Sequence, residues 1–597
     1  MLEKTGDFFS LEKKSAPWLI TCIAIALCAP SLWSGLAVDD YWHQVVLQGS
    51  SSFSDIFPKS IDIFAFMDGD PARNQRLMDL GISPWWSSAD VKIAFWRPLT
   101  ALTHQIDVLL WSFSPMLMHA QSLFWFGALI IAVGALYKQM LGASVCAGFA
   151  LLMFGIDDNH GVVVGWLANR NVLLTSTFGV LALLFHIRWR NELSNKDEAS
   201  SRTFRWNAWI ALFFYAVALF SGESGIAITA YLFAFAVTLD RTAMTQRLLS
   251  LLPYLLITVI WRVIYNWTGH GTNASAIYID PVANPLQFAS DLVIEGPILF
   301  MAQWFPIQSD MFLFSPLAVV IMWWCAALSS IGIIGYLLKP LLRNDATARF
   351  WGLGMVISLV PICAAFPMDR LLVFVGIGGM GLLAQLINQY VFTESSAVAK
   401  SQLRRKIVLC LCVVHLVLAP LMLPLRSYTF GFVGDWLSSS IDSLDKLPDI
   451  DGKTIIVVNA PMIYFSAFIS VMRDYEGKSI PAQAYTLAPN EPNGGDLIIK
   501  VEDEFTLRVR PTLGFSRIPM TRGRDQLMEV GYTVDLEAMR VEVTELSEAG
   551  HPSEALFHFK KKLNDSSHLW LHHQDSAYQI YQLPKVGKSD IVLQGLL

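Results

Sequence analysis

Charge is scarce in this chain: Asp, Glu, Lys and Arg together make up 15% of its 597 residues. A soluble protein of this size covers itself with roughly a quarter charged residues, so an ordinary water-facing enzyme is excluded. No excess of positive charge exists either. The formal net charge is -6, which leaves no basic field to recruit nucleic acid. Cysteine is sparse. The seven cysteines, at 22, 28, 146, 325, 363, 410 and 412, all lie in apolar runs, form no C-x-x-C pair and have no histidine cluster beside them. They read as small buried hydrophobes rather than a disulfide frame or a zinc site. Tandem repeats and low-complexity tracts are missing too, which removes solenoids and disordered arrays.

What is abundant is apolar sequence, 54% of the chain. Runs long enough to span a bilayer fall near 16–37, 116–140, 142–156, 171–189, 206–221, 224–239, 247–267, 315–338, 350–367, 371–392 and 406–425, about eleven in all by the length rule for spanning helices. The first follows Lys13 and Lys14 and suits a retained span rather than a cleaved signal. Lys and Arg concentrate in alternate connections, while the opposite ones are acidic or neutral; the stretch 268–314 holds Asp280, Asp291, Glu295 and Asp310 and no Lys or Arg. This bias puts the N-terminus in the cytoplasm and the C-terminus outside. The fold class expected is a polytopic α-helical membrane protein with a soluble α+β domain on the extracytoplasmic side.

Two outer segments are too long for turns. Residues 38–97 form a first outer loop whose aromatic stretch 82–97, with Trp85, Trp86, Phe95 and Trp96, is expected to lie as helix along the membrane interface. Residues 427–597 turn charged, with strand-like runs at 454–459, 496–502 and 505–510 and a helix-like stretch at 461–475. The domain boundary is thus expected between 1–426 and 427–597.

Ionisable groups at membrane depth need a partner or a purpose. Asp39 and Asp40 follow the first span; such a pair can bind a divalent metal or act as a base, or be a solvated pair in a loop. Asp157, Asp158 and His160 lie within four positions, suiting a divalent metal, with Arg170 nearby as a planar fork for phosphate oxygens. Helix capping with a surface histidine is the plainer alternative. Arg97 and Arg370 sit on the outer side, where topology disfavours cations; each can hold a lipid phosphate, or snorkel, or in the second case pair with Asp369. Glu223 has no cation adjacent in sequence, and Arg262 is the partner the neighbouring span offers.

These motifs, in this order, resemble the GT-C superfamily of integral-membrane glycosyltransferases, above all the transmembrane and tetratricopeptide-repeat O-mannosyltransferases and their bacterial relatives. The acidic pair after the first helix is matched by Asp39-Asp40, the R-P-L-(S/T) element by Arg97-Pro98-Leu99-Thr100, and the histidine downstream by His119. In the family's H-P-x-H segment followed by arginine, His160 and Arg170 match, and Asp157 replaces the first histidine. Ser221-Gly222-Glu223-Ser224-Gly225 matches an S-K-E-(T/S)-G element without its lysine, and Asp369-Arg370-Leu371-Leu372 an (E/D)-R-x-L element. The resemblance covers about 30–400 and stops before the C-terminal domain, which has no tetratricopeptide repeats.

The resemblance implies sugar transfer from a polyprenyl-phosphate donor to an acceptor hydroxyl on a protein, lipid or glycan, at the outer membrane face and with inversion. Asp39 or Asp40 would be the base, Arg97, Arg170 and Arg370 would hold the donor phosphate, and a divalent metal, Mg or Mn, would be a cofactor candidate. Compact loops point to a bacterial inner membrane. The rival class is a transporter or lipid flippase using Glu223, Arg262 and the 157–170 segment as a relay, and a third is a non-catalytic envelope assembly protein.

Overall fold

The computed structural model describes residues 9–112, 114–194, 202–312, 315, 317–392, 401–447, 450–460, 466–489, 495–515, 520–548 and 550–592. It divides into two compact units that interleave along the chain. One comprises 1–35, 96–268 and 281–431; the other comprises 36–95, 269–280 and 432–597.

The first unit is helical. Among the described residues six helical stretches are long and apolar enough to cross a membrane: Pro115–Leu141, Leu167–Leu193, Met244–Trp267, Val319–Asn344, Val373–Phe392 and Gln402–Lys446, the last running on past Gly431. Shorter apolar helices occupy Ala16–Leu27, Val145–Gly155, Trp206–Ser221, Glu223–Thr238 and Ala346–Ile362. With these helices the chain is an integral membrane protein. The run 16–37 is not one continuous helix. It breaks after Leu27 into a 3-10 turn at Ala29–Trp33, because Pro30 has no N–H to continue the ladder.

Close packing in this unit depends on small residues. A Cβ at Gly354 would come within 2.3 Å of the Tyr231 ring, and one at Gly378 within 2.6 Å of the Trp351 carbonyl. The Tyr231 hydroxyl, buried there, donates to Phe374 O at 2.6 Å and accepts from Gly378 N at 2.9 Å. Small residues let backbones approach in a setting where lipid supplies no hydrophobic drive between helices. All seven cysteines are unpaired.

Among the described residues the second unit is built on three sheets. Its strands are β1 Ala65–Asp68, β2 Lys92–Ala94, β3 Gly271–Asn273, β4 Thr454–Ala460, β5 Gln483–Pro489, β6 Leu497–Val501, β7 Thr506–Pro511, β8 Thr533–Asp535, β9 Met539–Leu546, β10 Pro552–Phe559, β11 His568–Gln574, β12 Ala577–Ile580 and β13 Ser589–Val592. Strands β1-β2-β3 form a small antiparallel sheet, β13-β6-β7-β10-β9-β8 an antiparallel sheet of six, and β12-β11-β4-β5 a sheet of four in which β11, β4 and β5 run parallel. The strands expected at 454–459, 496–502 and 505–510 are β4, β6 and β7. Of the helix expected at 461–475, Ile469–Tyr475 is present and 461–465 lie outside the described residues.

The interfacial helix expected over 82–97 is corrected by the structure. Residues 92–94 are strand β2, and Trp85 and Trp86 are buried in the core of the second unit. Trp85 Nε1 donates to Leu487 O at 3.1 Å, and its ring meets Phe515 and Phe557 edge to face. Tyr485 donates its hydroxyl proton to Asp79 O at 2.7 Å. A buried indole needs both apolar surface and an acceptor for its N–H, and this sheet core supplies both. The first long loop therefore belongs with the C-terminal segment.

Candidate functional site

Two glycines set the geometry in the first unit. The short helix His160–Gly165 lies against the end of helix Ala419–Ser427. A Cβ at Gly161 would stand 2.5 Å from Arg426 Cβ, and one at Gly165 2.0 Å from Ser427 O. This G-x-x-x-G spacing brings Arg426 to the loop that starts at Asp157. Arg426 Nη1 donates to Asp158 Oδ2 at 2.8 Å, and Nη2 to Asp369 Oδ2 at 2.6 Å. Asp369 Oδ1 accepts from Ser309 N at 2.9 Å and Ser309 Oγ at 2.6 Å, and its own N–H donates to Asp310 Oδ1 at 3.1 Å. Sequence reasoning passed over Arg426, Ser309 and the linking role of Asp310.

Arg370 is the neighbour of this knot and faces a different set of partners. Its Nη1 donates to Asn169 Oδ1 at 2.7 Å, and the guanidinium lies over Trp166 at 5.4 Å and Phe366 at 5.8 Å. Trp166 in turn stacks on Phe430 at 4.1 Å and 6°. The Asp369 carboxylate is taken by Arg426 and Ser309 rather than by Arg370, so the local Asp369–Arg370 pair weighed from sequence does not form. Arg370 remains partly exposed.

Arg170 is different. It is fully buried, its Nε donating to Ser122 Oγ at 3.1 Å, Nη2 to Met118 O at 2.8 Å, and Nη1 to the Asp107 and Gln121 side chains. Its donors are occupied by the protein, so it braces three helical segments. His119 is buried as well, and its Nε2–H donates to Gly35 O at 2.8 Å.

The Asp157, Asp158 and His160 trio does not converge. Asp157 accepts from Asn159 N and from Gln303 Nε2, each at 3.1 Å. Asp158 is held by Arg426. His160 is wedged edge to face between Phe126 and Phe154, at 5.4 and 4.7 Å, and burial pushes its imidazole down to about 3. Burial first, then the charge of Asp158, raises Asp157 to about 7; burial, then Asp369, raises Asp310 to about 6. A divalent ion needs several ligands aimed at one point. Among the described residues no group of three or more His, Cys, Asp and Glu is placed to hold one, so these residues do not fit the metal the sequence suggested.

Arg97 and Glu223 are brought together. Thr100 Oγ1 donates to Ser221 O at 2.7 Å, tying helix Pro98–Trp111 to the 221–225 turn. Arg97 Nε then reaches Glu223 Oε2 at 2.8 Å. Arg97 is thus the partner of Glu223, in place of Arg262, whose guanidinium lies over Tyr265 at 5.5 Å.

Asp39 and Asp40 lie in the second unit and open helix Asp39–Gln48. Val38 before them has φ 48° and ψ -114°, a conformation that a β-branched residue holds at a cost of about 1–3 kcal/mol. Asp40 is buried and its Oδ2 accepts from Ala37 N at 3.0 Å, so it fixes the turn. Asp39 is half-buried.

No family model and no curated protein matches the chain. Solved structures to which it shows similarity include an Archaeoglobus fulgidus oligosaccharyltransferase tethered to an acceptor peptide with the NVT sequon, at 14% identity and TM-score 0.38, over 79% of this chain and 64% of that one. The chain thus spans under two thirds of that protein. ArnT from Cupriavidus metallidurans bound to undecaprenyl phosphate is 13% identical at TM-score 0.37, over 78% of this chain and 88% of that one. The same enzyme in the apo state is 15% identical at TM-score 0.39, over 78% and 86%.

Proposed function

We propose that this chain is a GT-C-type membrane glycosyltransferase that moves a sugar from a polyprenyl-phosphate donor to an acceptor hydroxyl on the extracytoplasmic face of a membrane, taken to be a bacterial inner membrane. The observation that carries the reading is Arg370: a partly exposed guanidinium set by Asn169 above the Trp166 face, at the position of the family's (E/D)-R-x-L arginine. Arginine offers a planar fork for phosphate oxygens and stacks on aromatics without losing its charge.

In this reading the acceptor oxygen forms a bond to the anomeric carbon as the bond from that carbon to the phosphate oxygen breaks. The electron pair leaves on the lipid phosphate, whose growing charge Arg370 offsets. The hydroxyl proton passes to a carboxylate, the role that the family resemblance gives to Asp39 or Asp40. Arg170 acts as a brace rather than a phosphate ligand, and no step runs through a metal. Arg97, held by Glu223 with partial exposure on both sides, is a second candidate for the phosphate.

The test is sugar transfer or donor hydrolysis by purified protein in lipid nanodiscs with a panel of radiolabelled polyprenyl-phosphate sugars. Turnover with at least one donor, lost on Arg370→Ala, supports the reading. Absence of turnover with every donor, with donor binding equal in wild type and Arg370→Ala, overturns it.

A further inference from the structure

Arg426 gathers three stretches of chain that are far apart in sequence. It is buried, at 6% exposure. One end of its guanidinium meets Asp158 at 2.8 Å and Asn159 Oδ1 at 3.4 Å; the other meets Asp369 at 2.6 Å. Through Asp369 it reaches Ser309 and the Asp310 carboxylate. Its own backbone is pressed against Gly161, where a side chain would not fit. Asp369 opens the 3-10 turn Asp369–Leu371, and the next residue of that turn is Arg370. The partners of Arg370, Asn169 and Trp166, belong to the segment that begins with Asp157 and Asp158.

We propose that Arg426 is a positioning residue for the donor site: by bridging Asp158 and Asp369 it locks the 369–371 turn to the 157–170 segment and so holds the Arg370 guanidinium over Trp166, ready for a polyprenyl phosphate. This rests on the donor-phosphate reading of Arg370. The chemistry explains the choice of arginine. The planar fork meets Asp158 through Nη1 and Asp369 through Nη2, two separate donor nitrogens where a lysine ammonium offers one. Charge balance alone would not demand this residue. Asp157, Asp158, Asp310 and Asp369 all lie around Arg426, so its removal leaves an acidic patch next to the place where an anion must bind.

The test measures binding of radiolabelled polyprenyl phosphate to nanodisc-embedded wild type, Arg370→Ala, Arg426→Lys, and the double variant Arg426→Gln/Asp369→Asn, with thermal stability recorded for each. The double variant also removes the charge of Asp369, the more deeply buried of the two carboxylates that Arg426 holds, so it keeps the test informative where Arg426→Gln alone does not fold. The expected result is binding weakened about tenfold in both Arg426 variants, the size of coupling found within one hydrogen-bond network, with a melting temperature for the double variant close to wild type. Wild-type binding that falls in Arg370→Ala but is unchanged in a folded Arg426→Lys or double variant overturns the positioning role alone. A wild-type protein that does not bind polyprenyl phosphate overturns the donor reading and this inference together.

Discussion

Arg97 Nε donates to Glu223 Oε2 across 2.8 Å, joining two segments separated by 126 residues. Each side chain keeps some exposure, 17% for Arg97 and 25% for Glu223, so solvent screens the pair. A double-mutant cycle with Arg97→Met and Glu223→Gln should therefore give a coupling of about 1 kcal/mol or less in stability. Chemical denaturation in detergent reads it, and a coupling several times larger would show the pair to be sealed from water.

Arg170 should behave in the opposite way. Replacing it with Met leaves Asp107 buried without its cation, and removal of one partner of a buried pair is expected to destabilise by about 3–5 kcal/mol. Arg170→Met with Asp107→Asn should recover a large part of that loss. A single variant as stable as wild type would mean the guanidinium is not the brace described.

Gly165→Val puts a branched side chain where a Cβ alone would stand 2.0 Å from Ser427 O. Overpacking at a site with no give displaces the helix, so the 160–165 helix should separate from Arg426 and donor binding should fall along with stability. Gly142→Ala, where nothing lies within 4 Å of a Cβ, is the comparison; it carries only the strain of its positive φ.

Asp157 gives the protein a defined pH response. Its folded pKa is raised to about 7, against an ordinary carboxylate value near ~3.9. The folded form thus binds the proton more tightly than the unfolded chain, so this contribution to stability is full below the ordinary range and is lost as pH rises through about 7. Asp157→Asn should flatten the fall in melting temperature over that window. An unchanged slope in the variant would show that Asp157 does not titrate there.

The apolar runs made the helical unit legible, because spanning a bilayer imposes length and composition that local sequence carries by itself. The strands were legible for a similar reason, β6 and β7 by their alternation and β4 by its unbroken run of β-branched residues. The misreadings share one cause, partners far away in the chain. Trp85 and Trp86 look interfacial until the core that buries them is seen, with an acceptor at Leu487, 402 residues on from Trp85. Arg170 looks like a phosphate fork because Asp107, on another helix, cannot be paired with it from sequence. His160 sits in a metal-like spacing, yet two phenylalanines decide its surroundings. Arg426 was findable: it follows the run 406–425 on the side expected to be poor in cations, by the argument that singled out Arg370.

Sugar transfer with Asp39 or Asp40 as the base is tested most directly by turnover of a polyprenyl-phosphate sugar by Asp39→Asn beside Asp40→Asn. One of the two substitutions is predicted to abolish transfer while leaving donor binding near wild type, and Asp40→Asn to exchange a charged acceptor of the Ala37 N–H for a neutral one. Full turnover by both folded variants would contradict it.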